Sequence, residues 1–270
     1  MPRSAAGVLV LFGACCASVA GAAPSCTVLA DGATGRILKQ QGSCDQRLTP
    51  ASTFKVALSV MGYDSGFLTD EHHPALPYRE SYLATDPAWK TTVDPTSWIH
   101  NSVVWYSQQF TVWLGPERLH DYIVRFKYGN QDISGNPGMN DGLTQAWLSS
   151  SLRISPLEQV SFLQKLVTRQ LAASAHAYEM TARILAVGTL PNGWEVHGKT
   201  GTGYQMQANG PDLKRQVGWF VGWASRGGRT IVFAYAIADE QPDESSAGQR
   251  ARTACMAELP GLLDAESAAR

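Results

Sequence analysis

Ser52-Thr53-Phe54-Lys55 sets a hydroxyl and an amine one helical turn apart, just after Thr49-Pro50-Ala51. Proline favours the first helical position, where its missing N–H costs nothing, and Thr49 reads as the cap. Apolar residues recur at Phe54, Ala57, Leu58 and Met61, the stripe of an amphipathic helix. Ser52 is therefore expected in the first turn, where backbone N–H groups lack intrahelical partners and the helix dipole favours negative charge. An oxyanion forming there would find a donor beside it. Lys55 shares the same face and can exchange a proton with the hydroxyl. Together they have the makings of an acyl-enzyme. Alone the pattern is weak, because a chain this long shows roughly one S-x-x-K match by chance.

Further along, Lys199-Thr200-Gly201 ends a predicted strand. Such an edge offers a cation, a hydroxyl and open backbone groups to a carboxylated, amide-bearing substrate. Gly198 and Gly201 would let a ligand lie close against that backbone. Ser102-Val103-Val104 and Tyr128-Gly129-Asn130 lie between the two motifs. His72, His73, His100, His120, His176 and His197 make no H-E-x-x-H pattern, and no cysteine pair has ligand spacing, so no metal site is expected.

The elements that must position these groups read as strands at both ends and helices between. Cys26 to Asp31 and Arg36 to Gln40 predict a hairpin around Gly32-Ala33-Thr34-Gly35. Pro156 to Leu171 predicts a helix capped by Ser155, on which Glu158 is a solvated residue rather than a base. Trp194 to Thr202, Val217 to Ala224 and Thr230 to Ala238 predict an antiparallel meander, with Gly203 to Arg215 as a loop. Ala247 to Leu263 predicts a last helix. The fold class is α+β, with the N-terminal hairpin and the meander in one sheet covered by helices.

Residues 1–22 read as a cleavable signal: Arg3, then the apolar Gly7 to Ala14, then Ala20-Gly21-Ala22. The mature chain, residues 23–270, is expected to form one domain. No later segment is apolar enough to span a bilayer. The net charge of −1, without a basic block, argues against nucleic acid. In an exported chain Cys26 and Cys44 could pair across the hairpin, leaving Cys255 as a buried thiol.

In order and spacing the four motifs resemble the serine β-lactamase and penicillin-binding family, and most closely its class D, or oxacillinase, group. That resemblance implies a DD-peptidase-like fold: an antiparallel sheet flanked by helices, with a helical lobe. It implies hydrolysis of β-lactam antibiotics, and hence resistance, by a bacterial enzyme exported to the periplasm as a monomer or homodimer. Ser52 would open the β-lactam ring. Lys55 would be carboxylated by carbon dioxide or bicarbonate, needing no dissociable cofactor, and would serve as the general base. Ser102, assisted by Lys199, would relay a proton to the leaving nitrogen, and Trp147 would hydrogen-bond the carbamate. Val104 and Leu148 would wall off the base, and the N–H groups of Ser52 and Thr202 would bind the oxyanion. Thr200 and Gly201 would line the substrate edge. Arg250 best matches the arginine that pairs with the substrate carboxylate, with Arg252 as a competing candidate.

Carboxylation needs a neutral amine, whereas an exposed lysine has a pKa of about 10.4. Bringing it to about 7 costs roughly 4 to 5 kcal/mol. Burial can move a lysine by about 3 to 5 units, so the apolar company of Phe54, Val104, Trp147 and Leu148 would suffice.

Overall fold

The computed structural model describes Cys26–Ala268; the expected signal at residues 1–22 lies outside them. A six-stranded antiparallel sheet forms the spine, in the order β2-β1-β6-β5-β4-β3. Its strands are β1 (Cys26–Asp31), β2 (Ile37–Gly42), β3 (Ala186–Thr189), β4 (Glu195–Gln207), β5 (Gly210–Arg226) and β6 (Arg229–Ala238). The N-terminal hairpin does join the meander, through β1 against β6. Period-two alternation splits the buried residues between two cores. Val28, Trp219, Val221, Val232 and Ala234 face the helical lobe, while Leu29, Phe220, Phe233 and Tyr235 face the C-terminal helix.

The lobe is built from α1 (Phe54–Ser65), α2 (Pro95–His100), α3 (Val104–Leu114), α4 (Pro116–Phe126), α5 (Gly142–Gln145), α6 (Pro156–Val167) and α7 (Ala175–Ile184). α8 (Ala247–Ala268) covers the other face. On α6, Ser155 caps as expected. Glu158 closes the reciprocal bond to the Ser155 N–H at 2.9 Å and also pairs with Arg47. Cys26 and Cys44 form a disulfide across the N-terminal hairpin, and Cys255 is buried on α8. No helix among the described residues is long and apolar enough to cross a membrane.

Two expectations give way, and one strand is unannounced. The stretch Gly203 to Arg215 is not a loop: β4 and β5 continue through it as a hairpin, closing on Gln207 opposite Gly210. Only Leu213, Lys214 and Arg215 leave the ladder, between the pairs Tyr204–Gln216 and Gln205–Asp212. The Asp212 carboxylate staples that bulge by accepting from the Arg215 Nε at 2.7 Å and the Lys214 N–H at 3.1 Å. β3 had no sequence signal, being short, largely exposed and interrupted by Gly188. Finally, Thr49 does not cap a helix; its hydroxyl bonds to the distant Trp147 and Ser149 instead.

Candidate active site

Ser52 sits on a single 3-10 turn, Ala51–Thr53, that leads into α1. Ala51 is held at φ +47°, a left-handed conformation costly for a residue with a Cβ, directly before the half-buried serine. The turn is braced from below: the Thr53 hydroxyl donates to the Pro50 carbonyl at 2.6 Å and accepts from the Gln159 side chain at 2.9 Å. Lys55, in the first turn of α1, is fully buried, and its Nζ donates to the Ser52 Oγ at 3.1 Å. Burial, and secondarily the charge of Lys199, hold that amine well below the usual lysine range.

A second amine–hydroxyl pair stands opposite. Lys199, only 4% exposed, reaches the Ser102 Oγ at 3.0 Å and the Thr200 carbonyl at 3.2 Å. Burial, with a smaller push from Arg252, lowers its pKa to about 7. Ser102 is delivered by the C-terminus of α2. The Val103 N–H bonds the Trp98 carbonyl at 3.0 Å, the Ser102 N–H bonds the Ile99 carbonyl at 3.3 Å, and Ser102 has φ +58°. This is a Schellman end, in which the left-handed position normally belongs to glycine. A serine here keeps a hydroxyl in the site at the expense of backbone strain.

β4 supplies the wall of the groove. β3 pairs with it only at Glu195–His197, and no described strand covers its outer edge from Lys199 onward. Gly201 lets this strand touch the Ser52 turn, since a Cβ there would sit 2.9 Å from the Pro50 carbonyl and 3.1 Å from the Thr53 nitrogen. Thr202 is exposed on the strand, its hydroxyl 2.9 Å from that of Ser246 and accepting from the Gly248 N–H at 2.9 Å. Ser246, at the start of α8, had no motif to announce it.

Trp147 is wholly buried against Phe54, with ring centroids 5.6 Å apart, and its indole N–H has no protein partner. An orphan donor in such a place is costly unless a further acceptor is bound. Val104 opens α3 and Leu148 follows Trp147; both are half-buried. Tyr128-Gly129-Asn130 is architectural. The Asn130 side chain bonds the Ser151 carbonyl and the Arg153 N–H, and Gly129, at φ +54°, lies against the Arg153 carbonyl. No group of described residues has the makings of a metal site.

Arg250, matched by resemblance to the substrate carboxylate, is already engaged by carboxylates of the protein. Its guanidinium makes a two-pronged pair with Asp239 at 2.9 and 2.8 Å, with Asp243 nearby at 3.6 Å. Two residues on, Arg252 points elsewhere. It lies over the Phe220 ring and lines a cavity of about 200 Å³ together with Gly198, Lys199 and Thr200.

Residues 25–260 match the penicillin-binding-protein transpeptidase domain. The chain is 42% identical to the β-lactamase OXA-9 of Klebsiella pneumoniae, over 88% of each. It is 35% identical to OXA-1 of Escherichia coli, over 78% of this chain and 75% of that one. A crystal structure of the class D β-lactamase OXA-427 superposes with a TM-score of 0.85 at 49% identity, covering 88% of this chain and 98% of the other.

Proposed function

Since the chain belongs to the class D β-lactamase family, we propose that it hydrolyses β-lactam antibiotics through an acyl-enzyme on Ser52. The observation that carries this reading is the facing pair of buried amines, each hydrogen-bonded to a hydroxyl, beside an open strand edge. Ser52 attacks the lactam carbonyl, and the N–H groups of Ser52 and Thr202 receive the oxyanion. An amine near 7 is half protonated at neutral pH, so Lys199 can pass a proton through Ser102 to the departing nitrogen. In its carboxylated form Lys55 supplies the general base for both acylation and deacylation. The residues present suit that form: the amine is held neutral by burial, and the unpartnered Trp147 N–H is a ready donor for an anion. Val104 and Leu148 keep water from it. The disulfide and the expected signal support export to the periplasm, with the mature chain from residue 23 forming one domain.

For the substrate carboxylate we favour Arg252 with Thr200, because the charge of Arg252 is near enough to be felt by Lys199 whereas Arg250 is engaged by Asp239. Arg252→Ala is then expected to raise KM for penicillins about tenfold with little change in melting temperature. Arg250→Ala is expected to lower the melting temperature by stranding the nearly buried Asp239. The reverse pattern would return the carboxylate to Arg250.

Ser102→Gly provides a second check. Glycine suits φ +58°, so the variant should gain about 0.5–1 kcal/mol of stability while losing most of its kcat. A melting temperature that drops would count against strain at this position.

Nitrocefin hydrolysis by the purified protein, with mass spectrometry of a penicillin adduct, tests the activity itself. Rapid turnover that falls in CO2-stripped buffer and returns with bicarbonate supports the reading. An adduct that persists without turnover would make the protein a penicillin sensor.

A further inference from the structure

We propose that Thr49 is a positioning residue for Trp147 and, through it, for the anionic form of Lys55; this rests on the reading of Lys55 as a carboxylated base. Thr49 is only 1% exposed, yet it sits at the meeting point of four chain segments. Its hydroxyl donates to the Trp147 carbonyl at 3.1 Å and accepts from the Ser149 N–H at 3.0 Å. Its carbonyl accepts from the Trp219 indole on β5 at 2.8 Å. Ser149, itself at φ +55°, passes the connection on, its hydroxyl accepting from the Tyr204 N–H of β4 at 2.8 Å. Three residues on from Thr49 is the nucleophile.

One side chain thus grips the peptide units on both sides of Leu148, while Phe54 packs against the ring of Trp147. The indole is held from its backbone end and from its face. Its N–H is the group left without an acceptor in the protein, so its usefulness to an anion on Lys55 depends on that pose. Threonine is suited to the task because β-branching restricts its χ1. The space is closed on the strand side as well, since a Cβ at Gly203 would lie 2.6 Å from the Thr49 methyl. Thr49→Val keeps the shape, removes both hydroxyl bonds and leaves a buried carbonyl and a buried N–H unpaired.

The test compares parent, Thr49→Val and Thr49→Ser in CO2-stripped buffer with bicarbonate added back. Thr49→Val should need about tenfold more bicarbonate for half-maximal nitrocefin turnover, the size expected for a lost buried hydrogen bond. At low bicarbonate its penicilloyl adduct should accumulate in the mass spectrum, and saturating bicarbonate should clear it. Thr49→Ser should stay close to the parent. A carbamate signal from ¹³C-labelled bicarbonate should follow the same order. An unchanged bicarbonate requirement, or a loss of activity that bicarbonate does not recover, would overturn the proposal and leave Thr49 a purely structural residue. Should Thr49→Val fail to fold, Trp219→Phe removes only the donor to the Thr49 carbonyl. It should shift the requirement in the same direction by less, and no shift would equally overturn the idea. A parent that turns over with no carbamate signal would overturn the reading of Lys55 itself, and this proposal with it.

Discussion

Lys55→Met is expected to cost roughly 10⁴-fold or more in kcat/KM for nitrocefin while raising the melting temperature in CO2-stripped buffer. The activity loss follows from removing the proposed base, whose Nζ lies 3.1 Å from the Ser52 Oγ, since members of a catalytic unit are rarely replaceable. The stability gain follows from the same burial that makes the amine useful. Lys55 is fully enclosed and its charged form is disfavoured, first by desolvation and then by Lys199. The unfolded chain keeps its proton in water and the folded chain must give it up, so at neutral pH this position opposes folding. Methionine has similar length and no such penalty. Bicarbonate should narrow the gap by stabilising only the parent, as any ligand of the folded state does. Calorimetry with and without bicarbonate checks this, and a methionine variant that melts below the stripped parent would refute it.

Lys199→Met should show the pH signature of the second amine most clearly. In the folded protein its pKa is about 7, against roughly 10.4 in the unfolded chain. Between those values the unfolded state binds the proton that the folded state releases, so parent stability rises with pH. The slope from this group is about 1.4 kcal/mol per pH unit, at most about 5 kcal/mol across the window. Above about 10.5 both states are neutral at this position and the contribution vanishes. The methionine variant lacks the slope. It should therefore exceed the parent in melting temperature near pH 7, and the advantage should shrink to nothing as pH approaches 10.5. Without the proton that Lys199 donates toward Ser102, its acylation rate should fall by about 10²-fold or more. An offset in melting temperature that stays constant from pH 7 to 10.5 would show that Lys199 is not held neutral in the fold.

How much of this was legible along the chain depends on the range of each interaction. The spacing of Ser52 and Lys55 is a property of one turn, and the Ser155 cap of one helix start; both are present in the fold. The cysteine pair flanks a local hairpin, and it too is bonded. The long β4–β5 hairpin was missed because its pairing across Asp212 needs a bulge that no local pattern marks. β3 was missed because an exposed edge strand carries no alternation to detect.

The sequence ranked Arg250 ahead of Arg252, but residues two apart on a helix face different ways, and the seating of α8 turns Arg250 onto Asp239 and lays Arg252 over Phe220. That seating is permitted by Gly218, where a Cβ would fall 2.2 Å from the Ala247 carbonyl. Thr49 looked like a cap because Pro50 follows it. Its real partners lie 98, 100 and 170 residues away, beyond the reach of any local rule. The types and spacings of neighbouring residues were enough to single out Ser52, Lys55 and the Lys199-Thr200-Gly201 strand that the fold brings together. Burial, strain and the pairing of remote polar groups arose only when the sheet brought those segments together, because desolvation and hydrogen bonding act through space and not along the chain.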